Sequence, residues 1–195
     1  MPAPDSRPAP GRPDVVVVRL GPDCAGELLT LQRAAYVTQA RLHADLDLPV
    51  LVEPLERVRA RLADPAVTTI GLRLRDTGRL VGSVHVAGPA GGTAELGRLA
   101  VAPDVQGWGL GTRLVELAEA ALPAGAQRMR LFTGEHSTSN LRLYERLGYV
   151  RTHRTPAPAG YDLVHLAKDL TALSTAAHVT PDDGTGRGTA RTVEP

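Results

Sequence analysis

The sequence predicts an α/β fold, a mixed sheet with helices on its faces. Three observations carry that prediction. Short β-branched or apolar runs alternate with stretches whose apolar residues recur every three to four positions, so strands and helices follow one another. The tripeptide Asp76-Thr77-Gly78 sits between two strand-like runs and makes a hairpin turn, which joins neighbours antiparallel. Elsewhere whole helices separate the strands, and a helical crossover can bring the next strand back parallel.

Residues 1–13, MPAPDSRPAPGRP, are dense in proline and poor in bulky apolar side chains, so they are expected to be disordered. The run Val15-Val16-Val17-Val18-Arg19-Leu20 is β-branched and reads as the first strand. Gly21-Pro22-Asp23 turns the chain, and Asp23 is placed to cap the helix that follows. That helix runs to about His43, with Leu28, Leu31, Ala34, Ala35 and Leu42 inward. Residues 44–54 form an irregular connection broken by Pro49 and Pro54, and it gathers the acids Asp45, Asp47 and Glu53. Pro54 suits the first position of a helix over 55–63, whose apolar side is Leu55, Val58 and Leu62. Strands follow at 67–74 and 79–87, then the loop GPAGGT and a fourth strand at 94–101.

A sharp turn and a glycine-rich loop come next, and then a helix with Leu110, Leu114, Leu117, Ala118 and Ala121 on one face, closed by Pro123-Ala124-Gly125. A fifth strand spans 129–133. A short helix over 141–147 is stopped by Gly148. Strands at 149–153 and 161–168 flank the loop TPAPAG. Residues 171–195 turn Thr-, Ala-, Asp- and Gly-rich and are expected to be a disordered tail. One domain over 14–170 remains.

Composition narrows the function classes. Hydrophobic residues make up 43%, enough for a core, and the formal net charge is +1. So balanced a chain carries no polyanion-binding signature, and neither nucleic acid nor a membrane surface is expected as a partner. No run reaches the roughly 18 apolar residues of a membrane span. The proline-rich start lacks the apolar core of a secretory signal. The single Cys24 excludes an internal disulfide and fits a reducing, cytoplasmic setting. His136, His153 and His165 lack metal-ligand spacing, so no metal is expected.

Chemistry concentrates at residues 96–117, LGRLAVAPDVQGWGLGTRLVEL. Gly107, Gly109 and Gly111 alternate with Trp108 and Leu110 just before the helix. A helix that begins inside such a loop presents unpaired N–H groups and the positive end of its dipole, which suits a phosphate. A Walker loop needs a lysine, and none is near. A dinucleotide G-x-G-x-x-G fails as well, because its last position falls on Thr112 or Leu114. What remains is Gln106-x-x-Gly109-x-Gly111, preceded by Val101-x-Pro103. This resembles the pyrophosphate loop of the GCN5-related N-acetyltransferases. The segment Asn140-Leu141-Arg142-Leu143-Tyr144-Glu145-Arg146-Leu147-Gly148-Tyr149 is similar to a second signature of that family.

The resemblance implies a fold and a set of roles. The fold is a central, mostly antiparallel sheet of about seven strands with four helices, its fourth and fifth strands splayed. The co-substrate is acetyl-CoA and the acceptor is an amine. N–H groups from Gly107, Trp108, Gly109, Leu110, Gly111 and Thr112 would surround the pyrophosphate, with Gln106 bracing the loop. Leu99, Ala100 and Val101 would pair with the pantetheine arm, and an N–H near Val101 would hold the thioester oxygen. Asn140 would touch the same arm. Tyr144 would be the acid for the departing thiolate. On that segment alone, a packing Tyr144 and a capping Asn140 remain the alternative.

Glu95 opens the fourth strand and is the candidate base, its pKa expected to rise with burial, with His85 as the other candidate. Asp45, Asp47 and Glu53 are candidates to attract a cationic acceptor. The expected reaction is direct transfer to a primary amine of a small molecule. Acetylation of a protein N-terminus or lysine, or a non-catalytic acyl-CoA-binding module, are alternatives. The resemblance also allows a homodimer.

Overall fold

The computed structural model describes residues 13–122 and 125–170. The elements run β1 (Val15–Arg19), α1 (Ala25–His43), α2 (Pro49–Val52), α3 (Leu55–Ala63), β2 (Val67–Leu74), β3 (Leu80–Ala90) and β4 (Thr93–Val101). They continue α4 (Leu110–Ala120), β5 (Arg128–Gly134), α5 (Thr138–Arg146), β6 (Val150–Pro156) and β7 (Asp162–Asp169). The expected disordered head, apart from Pro13, and the whole expected tail lie outside the described residues, as do Pro123 and Ala124.

All seven strands join one sheet in the order β1-β2-β3-β4-β5-β7-β6. Every neighbouring pair is antiparallel except β4 and β5. That parallel pair is short: only Thr93, Ala94 and Glu95 meet Arg128, Met129 and Arg130. Past Glu95 the two strands part. A bulge in β4 falls just beyond the split, where the register with β3 shifts between Ser83 and His85. Arg98 sits in it with φ 53°, a left-handed conformation unusual for a residue with a Cβ.

Hydrogen-bond parity then decides which peptide groups look into the gap. The Ala102 N–H donates to the Val81 carbonyl at 2.8 Å. Bonded and non-bonded pairs alternate along an antiparallel ladder, so Val101, paired with Gly82, turns its N–H and carbonyl away from β3.

Helices cover the N-terminal half of the sheet on both faces. On β3 a Cβ at Gly82 would meet Leu114 of α4 at 3.0 Å. His85, of opposite parity, lies on the face where α1 packs. Leu28, Leu72, Leu110, Leu114, Met129 and Leu166 are fully buried between these layers. The helical stripes are mostly as the sequence predicts, but Leu42 is 47% exposed and Ala34 is exposed. The last turn of α1 instead buries His43. The connection over 44–54 contains the extra helix α2, so the described residues hold five helices where four were expected. Asp23 makes no side-chain cap; it lies in a single 3-10 turn that feeds α1.

One buried ion cluster ties the helical layer to the sheet. Glu53 is 4% exposed and receives Arg61 Nη1 and Nη2 at 2.5 and 2.7 Å. Arg98 Nη1 donates to the same carboxylate at 3.0 Å, and Arg33 donates to the Glu53 carbonyl at 3.2 Å. Burial pushes the Glu53 carboxyl up, but the Arg61 hydrogen bonds and the charges of Arg98, Arg61 and Arg57 outweigh it and hold it below 4.5.

Glu53→Ala leaves two guanidinium groups without their shared carboxylate, and urea unfolding should show a loss of about 3 kcal/mol. The native contribution is complete above the ordinary carboxyl pKa of 4.5 and disappears as pH falls through the lower folded value.

Candidate active site

The split between β4 and β5 opens into a cavity of about 400 Å³. Its sheet wall is His85 and Ala87 of β3, residues 95–99 of β4, and Phe132, Thr133 and Gly134 of β5. On the helical side stand Tyr36, Gln39 and His43 of α1, with Pro49 and Val50 of α2 and Arg61 of α3. Asn140 and Tyr144 enter from α5. Tyr36, Gln39 and His43 share one side of α1 because they follow at helical spacing. Gly134 makes the approach of α1 possible: a Cβ there would sit 2.1 Å from His43 Nε2.

Tyr144 is 4% exposed, one helical turn beyond Asn140, and its ring meets Tyr149 edge-on at 5.9 Å. Burial, with Tyr36 nearby, pushes its hydroxyl well above the ordinary tyrosine value, so it keeps its proton at neutral pH. Asn140 Nδ2 reaches Thr133 Oγ1 at 3.5 Å.

Glu95 lines the cavity where β4 and β5 still pair, and its cross-strand partner Arg130 donates to it from Nε and Nη2 at 3.2 and 3.1 Å. Its side chain is 45% exposed, so the burial expected from the sequence is not found. His85 is the more enclosed group. Its Nδ1 meets Thr69 Oγ1 at 2.9 Å, and its Nε2 is buried without a partner. Burial first, then the Arg61 and Arg98 charges, lower its pKa to about 3.

The glycine loop lies outside this cavity lining, past the end of β4. Gly107 and Gly109 take φ 83° and 77°, and Gly109 is the N-cap of α4. No side chain caps that end. The first helical bond runs from Arg113 N–H to the Gly109 carbonyl, which leaves the N–H groups of Leu110, Gly111 and Thr112 without intrahelical acceptors. Gln106 Nε2 donates to the Val101 carbonyl at 3.1 Å and so braces the loop against the strand. Trp108 is half-buried against the core, and Gly111 lies against α5, where an added Cβ would be 3.4 Å from Leu143. Leu99 lines the cavity, whereas the Ala100 side chain is in the core and its peptide groups, paired with Ser83, turn toward β3. Uncapped N–H groups and an unpaired strand edge fit a pyrophosphate and its extended amide arm.

The acids of the 44–54 connection do not form an amine trap. Asp45 accepts the Asp47 N–H at 3.0 Å and the Tyr161 hydroxyl at 3.1 Å. Neither Asp45 nor Asp47 lines the cavity, and Glu53 is taken up by arginines. Sequence reasoning missed Tyr36, Gln39, His43, Arg61 and Arg98. The one signal for Arg98 was a charge inside the otherwise apolar run of residues 97–101. Among the described residues no group of three or more His, Cys, Asp or Glu is placed to hold a metal ion, and no helix is long and apolar enough to cross a membrane.

The sheet splits between parallel neighbours, with an uncapped glycine-led helix at its mouth and a tyrosine buried in the split. The sequence model of the acetyltransferase (GNAT) family matches residues 34–149, and the chain belongs to that family. The matched stretch is the acetyltransferase (GNAT) family domain of the chain.

A mycothiol acetyltransferase of Geodermatophilus obscurus is 38% identical over 104 residues. The match covers 49% of this chain and 34% of that protein, so the chain spans about a third of the length of this curated relative. Among solved structures, the ribosomal-protein-S18-alanine N-acetyltransferase of Escherichia coli superimposes with TM-score 0.63 at 17% identity, covering 80% of this chain and 94% of that one. A chimera containing the Vibrio cholerae spermidine N-acetyltransferase gives TM-score 0.63 at 14% identity, with 81% and 96% covered.

His85 makes a pH prediction. Its folded pKa of about 3 lies below the ordinary 6.5, so between those values the unfolded chain binds a proton that the folded chain does not. Stability should therefore fall with acidification below pH 6.5, by up to about 1.4 kcal/mol per pH unit from this group. Urea unfolding of His85→Asn at several pH values from 7 to 4 should show a slope smaller by about one proton.

Proposed function

We propose that the chain is an acetyl-CoA-dependent N-acetyltransferase that moves the acetyl group directly to a primary amine of a small molecule. The observation that carries this is one cavity holding Tyr144 and Glu95 beside the unpaired edge of β4. The relatives are named for mycothiol, a ribosomal-protein alanine and spermidine, so they support the shared chemistry rather than any one acceptor.

In this reading the N–H groups of residues 107–112 hold the pyrophosphate, and Gln106 keeps the loop in place. Along Leu99, Ala100 and Val101 the outward-turned peptide groups of Val101, with the amide of Asn140, line up the arm. The bound co-substrate supplies an acetyl thioester. The Val101 N–H steadies the carbonyl oxygen. Glu95 takes the amine proton, through water from its half-exposed position, and Tyr144 hands its own proton to the leaving sulfur. Much of the acceleration comes from orienting the two reactants across the split, on the order of 7–11 kcal/mol at best. Cys24 packs at the start of α1, outside the cavity, which favours direct attack over a cysteine-bound acyl group.

A second reading, acetylation of a peptide amine, draws on a second hollow over the start of β4 and over β5, β6 and β7. It shares Glu95 and Phe132 with the cavity, and Phe132 is 52% exposed there. Thiol release from acetyl-CoA, measured over a library of free amines and short peptides, tests both readings. Turnover confined to peptides would overturn the first, and no thiol release from any amine would overturn both.

Tyr144→Phe should lower kcat by about 100-fold while calorimetry finds the acetyl-CoA Kd within about twofold of wild type. Glu95→Gln should also cost about 100-fold in kcat, with Glu95→Asp recovering part of it in the same thiol-release assay.

A further inference from the structure

Resting on that reading, the geometry points to an acceptor that carries a carboxylate beside its amine, held in the cavity by Arg98. The cavity wall contains two guanidinium groups, Arg61 and Arg98, and both share one carboxylate, Glu53. Glu53 has little left to give. One oxygen takes Arg61 Nη1, and the other takes Arg61 Nη2 and Arg98 Nη1. The two guanidinium groups outnumber the carboxylate they share, and Arg33 and Arg57 stand around it too, so positive charge is in excess on this wall of the cavity. A buried cation without its own counter-ion is unfavourable, and a ligand anion relieves it.

Several donors are still open. Among the described residues Arg98 donates only to Glu53, from one of the five N–H groups of its fork. Its side chain is 23% exposed and lines the cavity, and its backbone stays in the bulge at φ 53°. Arg61 Nε is buried with no acceptor, and His85 Nε2 on the same wall is buried without a partner and donates in the tautomer whose Nδ1 accepts from Thr69. The positive field is felt independently by His85, which burial and the two arginines together keep neutral.

The other ionic group of the cavity is spatially separate. Glu95, which takes the amine proton, stands three positions earlier on β4 and is held from outside by Arg130. At about 3.3 Å per residue those two positions lie roughly 10 Å apart along the strand, a span a small molecule can bridge with the two side chains reaching toward it. A cavity of about 400 Å³ suits an acceptor of amino-acid size. On the cavity lining itself Arg61 and Arg98 exceed the Glu53 carboxylate they share by one charge, which a carboxylate matches. A planar fork also grips a carboxylate through two parallel bonds. This reverses the expectation of a cationic acceptor drawn from the acids at 44–54.

The test is thiol release from acetyl-CoA with glycine, leucine and glutamate, each against its own amide, and with spermidine. Wild type should favour each acid over its amide by about tenfold or more in kcat/KM. Arg98→Gln should erase that preference by slowing the acids alone, with the acetyl-CoA Kd unchanged. The unchanged Kd also shows that the variant is folded. A second measurement needs no turnover: N-acetylleucine and N-acetylglutamate should raise the melting temperature of CoA-loaded wild type, and the matching N-acetyl amides should not.

Equal or better use of amides or spermidine overturns the proposal and leaves acetyl transfer standing. Arg98→Gln weakening acetyl-CoA itself, or no stabilisation by the N-acetyl acids, also overturns it. Stabilisation by those acids with no thiol release from any amine keeps the anion site and removes the acetyl-transfer reading.

Discussion

The structure depends on a ladder that stops. Three residue pairs hold β4 to β5, and beyond Glu95 the strands separate. A continuous ladder would satisfy every peptide group and leave nothing for a ligand. The early stop exposes one edge of β4 in mid-sheet, where no strand can follow because the bulge at Arg98 turns the chain away. The loop that follows is anchored to that edge, since Gln106 donates to the Val101 carbonyl. From the other direction α5 sends Tyr144 into the gap, and α1 closes the far side. The split and the residues around it form one unit, and the helices stand where they do in order to line it.

The Glu53 cluster is the second constraint. It draws in Arg61 from α3, Arg98 from the β4 bulge and, through its carbonyl, Arg33 from α1. Removing charge from water is costly, and two cations around one anion do not cancel. The arrangement is therefore weak as a source of stability and strong as a source of geometry. It gives its wall of the cavity a positive sign. That sign contrasts with the Glu95 side, which faces solvent and has its own arginine.

Much of the sheet was legible because period-two runs and turn residues are local signals. The strands around Asp76-Thr77-Gly78, the glycine loop and the Asn140–Tyr144 spacing all stand in the structure where the sequence puts them. The boundaries at 88–93 were not: Gly88 and Pro89 read as a loop, yet β3 continues through them to Ala90 and the turn narrows to Gly91 and Gly92, both at positive φ. Pairing with β4 outweighed local composition there. The cavity's helical wall was less legible still. Leu42 fits a helical stripe, but the end of α1 faces the cavity, so His43 is buried in its place. Nor could a linear reading see that Glu53 would meet arginines 8 and 45 positions away rather than a ligand.

The two sides of the split are written in different alphabets. Along the β4 edge the contacts on offer are peptide groups, which every residue but proline carries in full. Replacing Leu99 or Val101 leaves that edge readable as long as the chain stays extended. The opposite wall is spelled by Tyr36, Gln39, His43 and Arg61, where each exchange alters shape or charge. Divergence among descendants of this chain would therefore fall unevenly: what enters along the strand is inherited, and what enters beneath the helices is open to change one side chain at a time.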